Sequence, residues 1–389
     1  MQRLGVLGGT FDPVHEGHLA LARSAVRLGG LDGVVLLPMG RPAHREAEAS
    51  AEDRLQMCRL AIAGEKTVAL SLAGMGNGVR FTTDTLGPLR REYPGARFTL
   101  ILGADKLPSL PYWHDRDRLF SQCDFLCFPR SGVSTQEAVA RARSAGARVE
   151  VLDVEDITIS ASMIRACTAQ YQDAPGLNRR VLCYMAERGL YQTDYLPKLK
   201  TMMNPRRFQH TLGVRREAVR LADIHGVPIQ RSALAALLHD CAKGMPVKEM
   251  DRIARQQRLI DDENMYGSGA MLHGPVGAYL AETVFGVRDG EILNAIRGHT
   301  IGRVGMTKLE LCVFVADATE EGREEYEGLE AIRFLADRSL PAAALKSMAL
   351  TQKYLTETGR PFFPAANRAK AYLESILTSD EKALLASVR

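Results

Sequence analysis

The apolar residues of this chain change their rhythm part-way along its 389 residues, and that change limits the fold more than any single motif. Through the first half, short apolar runs at 4–7, 34–37, 98–102, 125–128 and 149–152 alternate with amphipathic stretches such as 18–28, 53–63 and 135–144. Glycine or proline closes most of these runs, at Gly8-Gly9, Pro38, Gly103 and Pro129. Strand, crossover helix, strand, repeated, predicts α/β architecture: a parallel sheet with helices on both faces. From Pro205 onward the spacing is helical almost everywhere, over 207–225, 231–242, 247–258, 273–285, 289–298 and 308–320. Gly226-Val227-Pro228 and Gly286-Val287 read as stops between helices. Two rhythms call for two cores. The expected division is an α/β domain over 1–192, a linker at 193–204, an all-α bundle over 205–378 and a helical tail at 379–389.

Composition narrows the class. At 46% apolar and 25% charged residues the chain is ordinary globular protein, which excludes intrinsic disorder. There are 23 basic and 21 acidic residues through position 192, then 27 and 25, so each half carries +2 of the net +4. Neither half has the basic excess that sequence-independent nucleic-acid binding needs. No apolar window approaches 18 residues, so no membrane span is expected, and the apolar stretch at the N-terminus is too short for a signal peptide. Seven cysteines with no C-x-x-C pair read as reduced thiols and a cytoplasmic location.

The sharpest motif is Gly8-Gly9-Thr10-Phe11-Asp12-Pro13-Val14-His15-Glu16-Gly17-His18, which closes the first strand and opens the first helix. A glycine turn there lets backbone N–H groups reach a phosphate, and the helix dipole favours the anion. His15 and His18, three apart, can donate to phosphate oxygens as charge builds on them. A second anion site is legible at Ser160-Ala161-Ser162-Met163-Ile164-Arg165. Ser160 or Ser162 can cap a helix, with Arg165 one turn in, so hydroxyl, N–H groups and guanidinium can meet one polyphosphate.

With these motifs the first half resembles the bacterial nicotinate-nucleotide adenylyltransferases, nucleotidyltransferases marked by H-x-G-H. The match extends through Asp53-Arg54-Leu55-Gln56-Met57, Thr82-Thr83-Asp84-Thr85-Leu86, Gly103-Ala104-Asp105-Lys106-Leu107 with Trp113, and Gly189-Leu190-Tyr191. The resemblance implies a Rossmann-like sheet on which ATP, with Mg²⁺ on its phosphates, adenylylates nicotinate mononucleotide and releases pyrophosphate. It implies His15, His18 and Arg165 as catalytic. ATP would lie against Gly8, Gly9, Thr10, Phe11, Gly103, Asp105, Ser160 and Ser162. Nicotinate mononucleotide would meet His44, Arg45, Thr82, Asp84 and Trp113. Trp113, the single tryptophan, offers a flat indole to a pyridine ring. Two departures stand out: Pro42-Ala43-His44-Arg45 replaces the family's Pro-Pro-His-Lys, and the serine cap reads Ser-Ala-Ser rather than Ser-Ser-Thr.

In the second half, histidines and aspartates recur at helix ends: His210, His239-Asp240, His273, His299 and Asp317. Four imidazoles and two carboxylates on successive helices can converge and hold two metal ions, with Fe, Mn, Zn or Ni all suited to such ligands. Seven of nine histidines fall in one or other proposed site; His114 and His225 are left as structural or exposed. This constellation resembles the HD-domain metal-dependent phosphohydrolases. Within them it is nearest the bacterial enzymes that cleave diadenosine tetraphosphate symmetrically into two ADP, on Leu237–Lys243, Leu272–Ala278, Ala295–Thr300 and Val315–Asp317. That resemblance implies a di-iron centre on the six ligands, with Asp240 and Lys243 catalytic and Lys243 and Arg323 on substrate phosphate. Lys243 is expected one turn beyond Asp240 on the same helix. The chain reads Glu320-Glu321-Gly322-Arg323 where the family has Glu-Pro-x-Arg, and Ala318-Thr319 where it has Lys-Ile. A second reading keeps the ligands and makes the HD half a nucleotide sensor without turnover, or a hydrolase of another nucleotide.

Overall fold

The computed structural model describes residues 2–41, 46–76, 81–130, 132–152, 154 and 158–388. The chain divides into two compact units, one of Met1–Cys167 with Ala174–Tyr184, the other of Thr168–Asp173 with Met185–Arg389.

The first unit is built on six parallel strands: β1 (Arg3–Gly9), β2 (Gly33–Pro38), β3 (Val68–Leu70), β4 (Arg97–Gly103), β5 (Cys123–Phe128) and β6 (Val149–Val151). Their order is β3-β2-β1-β4-β5-β6, the doubly wound arrangement. Every residue of β2 is buried, as are four in succession in β1, because helices cover both faces of a parallel sheet. The crossover helices are α1 (Glu16–Gly29), α2 (Ala51–Ala61), α3 (Thr82–Glu92), α4 (Arg116–Gln122) and α5 (Thr135–Ser144), followed by α6 (Ala161–Ala169) and α7 (Arg179–Arg188). Among the elements that the periodic reading did not reach, two have a plain reason. Edge strand β3 spans three residues, too few to show alternation, and α3 opens on Thr82-Thr83-Asp84-Thr85 and contains Pro88, all poor helix signals.

The second unit is helical: α8 (Leu196–Met202), α9 (Pro205–His225), α10 (Ile229–Leu238), α11 (Val247–Gln256), α12 (Gly269–Thr283), α13 (Gly290–Gly298), α14 (Lys308–Thr319), α15 (Leu329–Ala336), α16 (Leu340–Glu357), α17 (Pro364–Ile376) and α18 (Ser379–Ser387). The stretch 193–204, expected as a linker, carries α8: Asp194 accepts the Leu196 N–H at 3.0 Å and Leu199 is buried. Asn204 caps α9 on the Arg207 N–H at 2.9 Å, and Gly226, at φ +65°, ends it in the left-handed conformation that glycine adopts freely. Helix α10 is buried on every side and packs against α9, α13 and α14, while α14 is buried from Leu309 through Ala316. No helix among the described residues is long and apolar enough to cross a membrane.

Candidate active sites

Ligands of doubly wound sheets sit beyond the strand ends where the winding reverses, here between β1 and β4. A cavity of about 890 Å³ opens there. Gly8, Gly9 and Thr10 line it from the end of β1 and the turn after it, His18 from α1, Gly103 and Asp105 from the end of β4 and the turn after it, and Arg130 from beyond β5. Thr82, Trp113 and His114 complete its outer wall. Gly9 is favoured by close approach, since a Cβ would stand 3.1 Å from the Phe11 ring, itself edge-on to His18 at 4.9 Å. His15 begins α1 and its ring packs on that of His18 at 3.8 Å. The His15 N–H donates to His18 Nδ1 at 3.2 Å, so His18 carries its proton on Nε2. Burial, then the charge of Arg130, lowers His15 to about 4. Burial, with His15 and Arg130, holds His18 well below the usual histidine range. Both rings are therefore neutral hydrogen-bonding groups at neutral pH.

The loops behind them are locked from below. Arg54, 1% exposed, donates to the carbonyls of Thr10 (2.7 Å), Met39 (2.8 Å), Gly40 (2.9 Å) and Ala49 (3.3 Å). One guanidinium thus ties the loop after β1 to the loop after β2. Arg165 reaches back to the Asp12 carbonyl at 2.7 Å and pairs with Glu48 at 2.5 Å, while the Asp12 carboxylate accepts the N–H groups of Glu48 and Ala49.

The second unit gathers its histidines and aspartates in one place. His210 Nε2 lies 3.1 Å from Asp317 Oδ1, and His239 Nε2 lies 3.8 Å from the same atom and 3.5 Å from Asp240 Oδ2. Asp240 Oδ1 stands 3.4 Å from His273 Nε2 and 3.6 Å from His299 Nε2. Each Nδ1 is turned outward onto an acceptor: Glu320 Oε1 for His210, Ala236 O for His239, Gly269 O for His273 and Ile296 O for His299. An acceptor at Nδ1 fixes the tautomer and leaves Nε2 as a lone pair aimed inward, the arrangement that metal-ligating histidines show. Two groups have ligand atoms close enough for a metal ion, His210-His239-Asp317 and His239-Asp240-His299. His210 Nε2, His239 Nε2 and Asp240 Oδ1 are buried there without a hydrogen-bond partner. The donor set fits divalent metal. Burial works against the charged form of Asp240, but His239 and His299 outweigh it and hold the carboxyl far below its usual range. His210 and Arg323 do the same for Asp317 against its burial.

Residues 6–167 match the cytidylyltransferase-like family and residues 207–322 the HD domain. A probable nicotinate-nucleotide adenylyltransferase of Gloeobacter violaceus is 39% identical over 49% of this chain and 96% of its own length. A symmetrical bis(5'-nucleosyl)-tetraphosphatase of Bacillus subtilis is 37% identical over 44% of this chain and 91% of its own. The chain belongs to both families, one in each half. A Mycoplasma genitalium protein described as a probable nicotinate-nucleotide adenylyltransferase/Ap4A hydrolase aligns end to end, 29% identical over 91% of this chain and 98% of its own.

In the adenylyltransferase-family half the structure brings His18, Gly8, Gly9, Thr10, Gly103, Asp105, Thr82 and Trp113 to one cavity. His15 backs His18, and Trp113 donates to Ser109 Oγ at 3.1 Å. Other expected residues sit apart from the cavity wall. Ser160 caps α6 through the Met163 N–H and stands 3.1 Å from Ser162 Oγ. Asp84 accepts the Phe81 N–H at the start of α3, a capping position. His44 and Arg45 lie outside the described residues. His114, set aside in the sequence reading, stacks on Phe81 at 4.5 Å on the cavity wall. Arg130 was missed; its signal was a basic residue two positions past the end of β5, the strand next to β4.

In the HD half all six expected ligands meet. Helix α10 ends at Leu238, so Lys243 lies on the turns that follow and not on the helix. Its neighbour Gly244 is packed so closely that a Cβ would overlap the Met202 carbonyl oxygen, and the chain turns there. Lys243 Nζ lies 3.2 Å from His273 Nε2, and burial lowers its pKa. Arg323 donates to Asp317 Oδ1 at 2.7 Å, and Arg207 matches it on Asp240 Oδ2 at 2.7 Å. Both arginines line a cavity of about 1040 Å³ beside the ligands, with His210 and Tyr326. Arg207 and Glu320 were not assigned from sequence. Their signal was position: Arg207 falls one turn before His210, and Glu320 three residues after Asp317.

Proposed function

We propose that this chain is a bifunctional enzyme. Its first half transfers AMP from ATP to nicotinate mononucleotide, giving nicotinate adenine dinucleotide and pyrophosphate. Its HD half hydrolyses diadenosine tetraphosphate to two ADP. What carries the reading is that each half has its own set of donors suited to a polyphosphate: neutral histidines at a glycine turn in one, four inward imidazoles with two carboxylates in the other.

In the transfer, an oxygen of the mononucleotide phosphate forms a bond to the α-phosphorus of ATP as the bond to the β-phosphate oxygen breaks. The protein positions two anions and spreads their charge. His18 offers Nε2–H toward the cavity, held by the His15 backbone, and the N–H groups of the Gly8-Gly9-Thr10 turn and α1 face the phosphates. His15 and Arg165 stand behind them, and Arg130 adds positive charge from the far wall. Ser160 and Ser162 serve the same nucleotide from the start of α6. Trp113 and Thr82 take the pyridine ring, with His44 and Arg45 on the mononucleotide. Mg²⁺ would screen the triphosphate.

In the HD half His210, His239, Asp240, His273, His299 and Asp317 would hold two metal ions, iron by family. Bound there, the metals would supply Lewis acidity toward a phosphoanhydride. Lys243, Arg207 and Arg323 are set to meet the polyphosphate once the carboxylates are engaged. Seven cysteines, none in a disulfide, support a cytoplasmic location.

The test is product chromatography of the full chain. With ATP, Mg²⁺ and nicotinate mononucleotide the expected products are the dinucleotide and pyrophosphate in equal amounts, and phosphopantetheine in place of the mononucleotide yields none. With Fe²⁺ or Mn²⁺ and diadenosine tetraphosphate, ADP is expected alone. AMP with ATP, or no cleavage, would contradict the second assignment.

A further inference from the structure

We propose that Glu320 is a positioning residue that makes the two metal positions of the HD centre unequal, strengthening the one built on His210. The inference rests on reading that centre as metal-binding. Three of its histidines are braced by neutral backbone carbonyls: His239 by Ala236 O at 2.7 Å, His273 by Gly269 O at 3.0 Å and His299 by Ile296 O at 2.7 Å. His210 is braced by a carboxylate, Glu320 Oε1 at 3.0 Å. A carboxylate at Nδ1–H raises the electron density on Nε2, so an imidazole backed this way is the stronger ligand. His210 belongs to the group with His239 and Asp317, and not to the group of His239, Asp240 and His299.

Glu320 is held for this contact. It is 2% exposed, and the Gly322 N–H donates to its Oε2 at 2.6 Å. Gly213 lies one turn after His210 on α9, and a Cβ there would overlap Glu320 Oε2, so a larger residue at 213 would push the carboxylate off this position. Charge points the same way. Asp240 is paired with Arg207 and Asp317 with Arg323, but among the described residues no lysine or arginine pairs with Glu320. A buried carboxylate needs a compensating cation. Through His210, the metal supplies it.

The experiment is calorimetric titration of the metal-free full chain with Zn²⁺, for the wild type and Glu320→Gln. Glutamine keeps an acceptor for Nδ1–H and removes the charge. The wild type should show two unequal sites. The variant should lose about 10- to 100-fold at the tighter one with the weaker site unchanged, while the metal-free protein melts somewhat lower because the amide nitrogen cannot accept the Gly322 N–H. Equal loss at both sites, or none at either, would overturn the proposal. A wild type that binds no metal would overturn the metal centre itself, a result visible before any variant is made. Should the variant not fold, ¹⁵N-histidine spectra of the wild type decide: His210 should respond to the first equivalent of Zn²⁺ and His299 to the second. Simultaneous or reversed responses would overturn it.

Discussion

His273 Nε2 and His299 Nε2 stand 3.0 Å apart, and with both rings neutral and each Nδ1–H given to a backbone carbonyl the two nitrogens face each other as lone pairs. Two lone pairs at that distance repel unless positive charge lies between or beside them. Lys243 Nζ, 3.2 Å from His273 Nε2, and the Thr300 hydroxyl at 3.1 Å are the donors at hand. Metal should relieve the repulsion more completely. At metal concentrations near 100 times Kd, binding stabilises the folded state by about 2.7 kcal/mol. Chelation should therefore lower the melting temperature of the second unit by about 5–10 °C, and added Mn²⁺ or Zn²⁺ should restore it. Identical calorimetric melts with and without chelator would contradict this.

Acid should weaken the first unit through His15. Its folded pKa, about 4, lies below the ordinary 6.5, so the unfolded chain takes up the proton first. The stability contributed by the neutral ring is complete above pH 6.5 and is lost as pH falls toward 4, on the order of 2–3 kcal/mol. Asparagine is a good helix cap and does not titrate, so His15→Asn should fold and show a shallower loss of melting temperature between pH 7 and 4.5. Parallel pH profiles for the two proteins would argue against it.

How much of this was legible in sequence depended on what kind of signal each residue leaves. His210, His239, Asp240, His273, His299 and Asp317, which converge in the HD half, are chemistry-bearing residue types on successive helices, and their type and recurrence singled them out as candidate ligands. Glu320 and Arg207 act through geometry: their roles exist only because α9 and the end of α14 pack together, with Gly213 leaving the space. Strands β1, β2, β4 and β5 showed as nearly continuous apolar runs, interrupted in β4 only by buried Thr99, because burial on both faces leaves few polar positions. Edge strand β3 pairs with β2 alone and is too short to print a pattern. Asp84 fits the motif by position, and in the structure its Oδ2 caps α3 by accepting the backbone N–H of Phe81.

Arg54 sets the shape of the nucleotide cavity without lining it. Arg54→Met would leave four carbonyls without their donor, costing about 3 kcal/mol or more, and Arg54→Lys could satisfy only some of them because an ammonium lacks the planar fork. Dinucleotide synthesis should fall at least tenfold in both variants while hydrolysis of diadenosine tetraphosphate persists. Unchanged synthesis in Arg54→Met would remove Arg54 from the account.

Trp113 is the chain's one tryptophan, so its fluorescence reports on one place. Nicotinate mononucleotide should quench it on stacking, with much less change on adding ATP alone. Trp113→Ala should raise the KM for the mononucleotide about tenfold and leave that for ATP within about twofold. Quenching by ATP alone, or an unaltered KM, would place the pyridine ring elsewhere.

The central claim is that one chain carries two separate reaction centres. The most direct measurement assays both reactions on His18→Ala and Asp240→Ala. Reciprocal outcomes are expected: His18→Ala loses dinucleotide synthesis and keeps hydrolysis, and Asp240→Ala does the reverse. A fall of both activities in either variant, with the fold intact by calorimetry, would contradict that claim.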